Sequence, residues 1–82
     1  MLNIEHKDEF LKYISKIKHE ALKERIKKLV EKIIDNPEIG KPMRYNRKGT
    51  REVYVPPFRL AYTYIPAENK LIFLEIYHKN EQ

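Results

Sequence analysis

Arginine and lysine side chains dominate the middle of the chain, and such side chains bind phosphates and other anions. The segment 41–64 holds six of them against one acid, Glu52. Its net charge of +5 equals that of the whole protein, because the other 58 residues carry eleven basic and eleven acidic side chains. A polyanion is therefore the expected partner of this segment.

Two arginines of the segment are candidates for contacting a phosphate. Arg51 and Arg59 lie on either side of a Pro-Pro turn, so antiparallel pairing of the flanking strands is expected to bring both guanidinium groups to one end of a sheet. A guanidinium is a rigid fork of donors that fits a phosphate bidentately. The alternative is that each arginine pairs with a local acid, Glu52 or Glu75, in an ordinary cross-strand contact.

The remaining basic residues and the aromatic residues of the segment suit the binding of RNA. Tyrosine rings offer surfaces on which bases can stack. The predicted RNA-binding residues are Lys41, Arg44, Tyr45, Arg47 and Lys48. By contrast, the alternate positions Phe58, Leu60 and Tyr62 have the pattern of packing residues.

A histidine near the end of the chain is the candidate for proton transfer. His78 follows an apolar strand pattern, beside the face expected to hold Tyr77, and precedes Lys79. Imidazoles exchange protons near neutral pH, which suits acid-base chemistry. The alternative is that His78 ends the strand without a chemical role. His6 and His19 are expected on helix surfaces.

Several classes of site are excluded by composition. The chain has no cysteine, so it can form neither a disulfide nor a thiolate metal site, which fits a cytoplasmic protein. The three histidines lack a mutual ligand spacing, and no metal or cofactor is predicted. A lone serine, Ser15, and two isolated glycines exclude a nucleophile triad and a glycine-rich phosphate loop. No signal peptide and no apolar run of about 18 residues is present, so membrane spanning is not expected.

The elements that must position these residues follow from the period of the apolar side chains. Two stripes at helical spacing predict two helices, one through Phe10, Leu11, Ile14 and Ile17 and one through Leu22, Ile26, Leu29, Val30 and Ile33. A break is expected near residues 18–20, but no glycine or proline marks it, so one continuous helix is the alternative. Asn36 and Pro37 end the helical pattern.

After Pro37 the period falls to two, which predicts strands over 51–55, 58–65 and 71–77. In the last strand Ile72, Leu74 and Ile76 are expected to face the helices, whereas the pattern of 58–65 leaves its orientation open. Residues 2–5 form a possible short strand. The expected fold is one α+β domain over residues 1–82, with two amphipathic helices packed on one face of a three- to four-stranded antiparallel sheet.

Three runs of the sequence, NPEIGKPM, TREVYVPPFRLAY and LIFLEIYHK, resemble in order the RelE/ParE superfamily of bacterial and archaeal toxins. The pattern of that superfamily is a helix pair ending in Asn-Pro, a Gly-Lys-Pro step, an Arg-Glu strand, a turn, an aromatic-Arg-hydrophobic-x-Tyr strand and a last strand ending in His-Arg. The resemblance implies a β-α-α-β-β-β fold and supports the short first strand.

The resemblance also implies a function, that of the toxin in a type II toxin-antitoxin system. RelE-type members cleave messenger RNA in the ribosomal decoding site without metal, by attack of the ribose 2′-hydroxyl on the adjacent phosphate. Arg59 matches the family's phosphate-stabilising arginine, Lys79 replaces an arginine after the last strand, and Arg51 and Lys48 lie near the basic residues of the second strand. With His78, these residues give a predicted catalytic set of Arg59, Arg51, Lys79 and His78.

One departure from the family keeps other functions open. RelE members often carry a tyrosine past the last strand that takes part in proton transfer, whereas this chain runs to Gln82 without one. His78, Tyr77 or another tyrosine would have to substitute, or catalysis relies on electrostatics. ParE-type members instead inhibit DNA gyrase, and a basic RNA- or ribosome-binding module without toxicity is a third possibility.

The resemblance implies partners as well as chemistry. A RelE-type toxin acts with the ribosome and messenger RNA. It is also expected to have a co-encoded acidic antitoxin of the RelB type, whose amphipathic segment wraps the toxin and neutralises its arginines. No membrane partner is expected.

Overall fold

Two helices and five strands make up the part of the chain that the computed structural model describes, residues 2–45 and 48–78. In chain order the elements are β1 (Asn3–His6), α1 (Asp8–Lys16), α2 (Glu20–Asp35), β2 (Lys41–Pro42), β3 (Arg51–Val55), β4 (Phe58–Ile65), a 3₁₀ turn (Pro66–Glu68) and β5 (Lys70–His78). The predicted α+β class is confirmed. The predicted bounds of β3 and β4 are also confirmed, and β5 is one residue longer at each end than expected.

The strands form one sheet in the order β1-β5-β4-β3-β2. The predicted antiparallel meander of β3, β4 and β5 is confirmed. The sheet nevertheless has five strands rather than three to four. The additional strand is β2, which pairs with β3 through only two residues, and the short β1 pairs parallel to β5. A two-residue strand is too short to show an alternating pattern, which is why the sequence does not reveal it.

The break between the helices is confirmed at residues 17–19. His19 is the N-cap of α2, and its Nδ1 accepts a hydrogen bond from the backbone N–H of Leu22 at 3.2 Å. The prediction of His6 on a helix surface is wrong, since His6 ends β1. Its ring stacks on Phe10 at 5.7 Å and on Phe73 at 5.5 Å between ring centres. At His19, an imidazole thus performs the N-capping of α2 that Ser, Thr or Asp more often performs.

The hydrophobic core lies between the helices and one face of the sheet. Its buried side chains are Phe10, Ile17, Leu22, Ile26, Ile33, Val55, Leu60, Tyr62, Leu71, Phe73 and Ile76. The packing role predicted for Phe58, Leu60 and Tyr62 is confirmed, with Phe58 partly buried at the border. Leu11 is 50% exposed, so its predicted place in the packed stripe is wrong. It lies about 100° around the helix from Phe10, which faces the sheet.

The orientation expected for β5 is wrong over half of its length, because the strand contains a bulge. Ala61 pairs with Glu75 but Tyr62 pairs with Phe73, so Leu74 is an extra residue without a partner position on β4. A bulge of one residue reverses the alternation of side chains between the two faces. Phe73 therefore packs in the core in place of Ile72 and Leu74, while Ile76 faces the helices as predicted.

The connection from α2 to the sheet is fixed by the buried hydroxyl of Tyr62. That hydroxyl accepts a hydrogen bond from the N–H of Gly40 at 2.8 Å and donates one to the carbonyl of Pro37 at 2.8 Å. Arg51 adds two more bonds, from Nη1 to the carbonyls of Glu38 at 3.0 Å and Gly40 at 2.8 Å. Burial raises the pKa of the Tyr62 phenol above 10.0, against smaller lowering effects of the Gly40 hydrogen bond and the Arg51 charge.

We expect Gly40→Ala to destabilise the protein by about 1–3 kcal/mol. A Cβ at this position would lie 2.6 Å from the hydroxyl oxygen of Tyr62 and 2.8 Å from its ring, which is fully buried and cannot move aside. Urea denaturation measures the change in the free energy of unfolding. In the Tyr62→Phe background the same substitution should be less harmful, because the closest contact is gone. An alanine variant as stable as wild type would contradict this packing.

We also expect the free energy of unfolding to fall as the pH rises above about 10. In that range the unfolded chain loses the Tyr62 proton while the folded chain, with its raised pKa, keeps it, so folding becomes less favourable. Urea denaturation at about pH 8 and about pH 11 should show a steeper loss for wild type than for Tyr62→Phe. Tyr64→Phe is the matched control and should keep the wild-type slope. Equal slopes in wild type and Tyr62→Phe would argue against the raised pKa.

Candidate functional site

A groove of about 840 Å³, open to solvent, runs along β2, β3 and the start of β4. Its lining residues are Ile39, Lys41, Pro42, Met43, Arg44, Tyr45, Glu52, Val53, Tyr54 and Arg59. Three of them are cationic, Lys41, Arg44 and Arg59, and Glu52 is the one acid of the lining. The groove is thus a candidate anion-binding site.

The strand register determines which side chains face the groove. Residues paired across antiparallel strands share a face of the sheet, and successive residues alternate between faces. Leu60 and Tyr62 face the helices, so Arg59 and Ala61 face away from them. Their partners on β3 are Tyr54 and Glu52 respectively. The side chains of Arg59, Tyr54 and Glu52 therefore belong to the face of the sheet opposite the hydrophobic core.

Arg59 lies at the centre of this arrangement. Its side chain is 36% exposed, and its Nη1 is 3.5 Å from Oε1 of Glu52, whose side chain is only 5% exposed. The hydroxyl of Tyr77 donates a hydrogen bond to the other carboxylate oxygen, Oε2. The local-acid alternative raised for Arg59 is thus what the structure shows with Glu52. A buried carboxylate needs such partners, because an uncompensated charge in the protein interior is strongly unfavourable.

The contact between Glu52 and Tyr77 spans the full width of β4. These residues lie on β3 and β5, the two neighbours of β4, and strands are about 4.8 Å apart. Between them the face of β4 carries Ala61, which is buried and whose methyl group leaves room for the two longer side chains to meet. In the sequence, the one signal for a special role of Glu52 is its position as the single acid of a cationic segment.

The groove brings together three of the five predicted RNA-binding residues. Lys41, Arg44 and Tyr45 line it with Arg59. The exposed Lys48 lies in the turn that follows, where its N–H donates to the carbonyl of Tyr45 at 3.0 Å. Arg47 lies outside the described residues. The groove also contains Tyr54, a half-exposed ring next to Arg59 and one of the tyrosines of the basic segment expected to offer stacking surfaces.

Arg51 does not join Arg59, and the prediction that both guanidinium groups share one end of the sheet is wrong. Arg51 pairs with Tyr62, at the end of the hairpin away from the turn, whereas Arg59 pairs with Tyr54 near the turn. The register also places the two arginines on opposite faces. The guanidinium of Arg51 binds the carbonyls that follow α2 and faces away from the groove.

His78 is likewise on the helix side of the sheet. It pairs with Phe58, and the two rings contact edge to face, with centres 5.5 Å apart and planes at 85°. Tyr13 of α1 contacts the same phenylalanine at 5.6 Å. The expectation that His78 lies beside the face of Tyr77 is therefore wrong for its ring. The predicted site residue Lys79 lies outside the described residues.

The described part of the chain, 2–45 and 48–78, holds no group of three or more His, Cys, Asp or Glu side chains that could bind a metal ion. Within the same residues, no helix is both long and apolar enough to cross a membrane. What the groove offers chemically is a set of cationic donors around Arg59, with tyrosine rings beside them.

The fold and the sequence were compared with known proteins. Among solved structures, a chain of the intact RelBE toxin-antitoxin complex of E. coli has a TM-score of 0.78 at 15% identity, over 95% of this chain and 96% of that one. The YoeB/ParE toxin from Agrobacterium tumefaciens has a TM-score of 0.82 at 12% identity, over 94% and 98%. YafQ from E. coli has a TM-score of 0.70 at 21% identity, over 99% and 97%. These similarities show a RelE-like fold.

The sequence comparisons give the family. A search of curated proteins finds no match. The family model described as the ParE toxin of type II toxin-antitoxin system, parDE, matches residues 4–82, which is nearly the whole chain. The protein therefore belongs to the ParE toxin family of type II toxin-antitoxin systems, within the RelE/ParE superfamily that its motifs resemble.

Proposed function

We propose that this toxin cleaves messenger RNA on the ribosome and that its groove holds the scissile phosphate. The observation that carries the proposal is the place of Arg59, partly exposed in a groove that Lys41 and Arg44 also line. Arginine in the aromatic-Arg motif is the phosphate-stabilising residue that the RelE resemblance implies. The groove supplies it with neighbouring cations that can hold the flanking phosphates of the strand.

The reaction is a transesterification that needs positive charge in one place. The ribose 2′-oxygen attacks the adjacent phosphorus, its proton leaves to a base, and the bond to the 5′-oxygen breaks as that oxygen takes up a proton. Negative charge builds up on the phosphate oxygens in the transition state. A guanidinium that already points at those oxygens stabilises the charge without reorganising. Arg59 would supply this stabilisation.

The tyrosines of the groove fit a single-stranded substrate. Tyr45 is 89% exposed and Tyr54 is 52% exposed, so both rings can stack on unpaired bases. Stacking tolerates any base, since every base has an aromatic face. We infer that these rings hold the codon while the cations hold its backbone.

The remaining members of the predicted catalytic set enter the proposal differently. Arg51 would act indirectly, because its hydrogen bonds hold the segment just before Lys41 in place. His78, at the end of β5, is proposed to move a proton, and Lys79, which follows it in the sequence, to contact a phosphate. For His78 this requires substrate to reach the helix side of the strand end.

The proposed partners are the ribosome, messenger RNA and an acidic antitoxin. The E. coli structure is a complex of a toxin with its antitoxin, and another solved E. coli complex contains RelE with a peptide of its antitoxin. In this chain the segment 41–64 carries the whole net charge of +5. An acidic segment would therefore bind most strongly over the groove.

A second candidate function is inhibition of DNA gyrase. The observation that favours it is the family model itself, which describes a ParE toxin. Under this function the protein would block gyrase supercoiling and leave messenger RNA intact.

We expect Arg59→Ala to reduce messenger RNA cleavage about 100-fold or more, because one preorganised donor to a developing oxyanion is lost. Toeprinting on translating ribosomes measures the cleavage. Arg25→Ala is the matched control, since it removes the same charge from the exposed surface of α2 and should cleave like wild type. Undiminished cleavage by Arg59→Ala would refute the site. Intact messenger RNA with wild-type toxin, together with blocked supercoiling, would support the gyrase function instead.

We further expect Lys41→Ala and Arg44→Ala to weaken binding of a single-stranded oligoribonucleotide. The slope of log affinity against log salt is negative, and each lost phosphate contact should reduce its magnitude by about 0.7. Fluorescence anisotropy across a salt series gives both quantities. Lys27→Ala, on the exposed surface of α2, is the control and should keep the wild-type slope. If all three variants bind alike, the groove does not contact the RNA backbone.

A further inference from the structure

A buried carboxylate lies beneath a groove whose other charged residues are cations. Each oxygen of the Glu52 carboxylate has a partner: Nη1 of Arg59 lies 3.5 Å from Oε1, as an ion pair rather than a hydrogen bond, and the Tyr77 hydroxyl donates a hydrogen bond to Oε2. By charge counting alone, an acid at this place weakens the binding of a phosphate. The arrangement therefore calls for an explanation other than affinity.

We propose that Glu52 and Tyr77 are positioning residues that hold the guanidinium of Arg59 at the angle required by the scissile phosphate. The inference rests on the proposed function for its catalytic consequence. The contacts themselves belong to the free protein and can be tested without any substrate.

The arginine side chain is flexible unless it is anchored. Arginine has several rotatable bonds, and Arg59 is partly exposed, so an unanchored guanidinium would sample many orientations. A guanidinium has five N–H donors in a fixed plane, so the ion pair at Nη1 turns that end of the plane toward Glu52 and does not engage the other donors. Those donors are then available to the phosphate.

The carboxylate of Glu52 is itself held in place. The carboxylate of Glu52 can orient Arg59 only if it cannot turn itself, and the Tyr77 hydroxyl supplies that restraint. Tyr77 is almost fully buried on β5, Glu52 is on β3 and Arg59 is on the strand between them. Three hydrogen-bonded strands thus set the direction of one side chain, and a site built on such elements is more rigid than one built on loops.

Two substitutions distinguish the effect of Arg59 orientation from the effect of the Glu52 charge. Glu52→Gln removes a negative charge from the groove floor, so binding of RNA should strengthen or stay the same, while kcat falls because the anchor is weaker. Tyr77→Phe leaves every charge in place, so binding should stay the same while kcat falls. A loss of orientation is expected to reduce kcat on the order of tenfold to 100-fold in both variants.

The kinetic experiment measures cleavage on programmed ribosomes and, separately, binding of an oligoribonucleotide made uncleavable by 2′-deoxy substitution. Glu75→Gln is the matched control for charge. It removes an acid from the same sheet face, at the exposed partner of Ala61. Tyr64→Phe is the matched control for the loss of a tyrosine hydroxyl. Both controls should keep the wild-type kcat.

A spectroscopic experiment tests the positioning without cleavage. The ¹⁵N–¹H NMR signals of the Arg59 guanidinium report its rotation, which should be slow in wild type and faster in Glu52→Gln and Tyr77→Phe. Arg51 is an internal reference, because its guanidinium binds backbone carbonyls on the other side of the sheet and should not change.

The outcomes are distinguishable. Unchanged Arg59 rotation in both variants overturns the positioning role. If wild type cleaves no RNA but Arg59 loosens in both variants, the proposed nuclease function fails while the positioning role stands. If Glu52→Gln also changes the Arg51 signals, that variant has lost its fold, and the isosteric Tyr77→Phe decides.

Discussion

The buried hydroxyl of Tyr62 fixes the place where the helices meet the sheet, and the groove depends on it. Its bonds to Pro37 and Gly40 hold the chain that leaves α2, so that Lys41, the next residue, pairs with Glu52 on β3. A buried hydroxyl with both donor and acceptor satisfied tolerates little displacement, since any shift would leave a polar group in the core without a hydrogen bond. The wall of the groove is therefore positioned by a hydrogen bond on the opposite face of the sheet.

The side chains of β4 alternate between the hydrophobic core and the groove. Leu60 and Tyr62 point into the hydrophobic core, which supplies stability, while Arg59 and Ala61 point to the groove. Arg51 and Arg59 illustrate this division. The guanidinium of Arg51, on the helix face, binds carbonyls of the segment that follows α2, whereas that of Arg59, on the opposite face, lines the groove. The same type of side chain thus has different surroundings in the two registers.

The sequence predicts the elements well because the period of apolar residues is a local property, but it predicts only in part which residues share a face. The helix ends at Asn36 and the strands flanking Pro56 and Pro57 follow from local patterns. The bulge at Leu74 is invisible to them, because an extra residue in one strand is defined only by its partner strand. The grouping of Lys41, Arg44 and Arg59 was predictable from charge, whereas the separation of Arg51 and His78 from that group depends on register.

The buried Glu52 shows why cationic charge by itself is an incomplete account of the groove. Three cations without an acid would bind any polyanion more tightly, but the part of that binding that is equal before and during a reaction does not raise kcat. In the proposed arrangement, a carboxylate beside Arg59 would lower affinity for the ground state and would restrict the guanidinium to fewer orientations. If one of those orientations matches the transition state, the restriction favours turnover at the expense of binding. The Tyr77 hydroxyl and the small side chain of Ala61 make the restriction possible, because together they let β3 and β5 act on a side chain of β4.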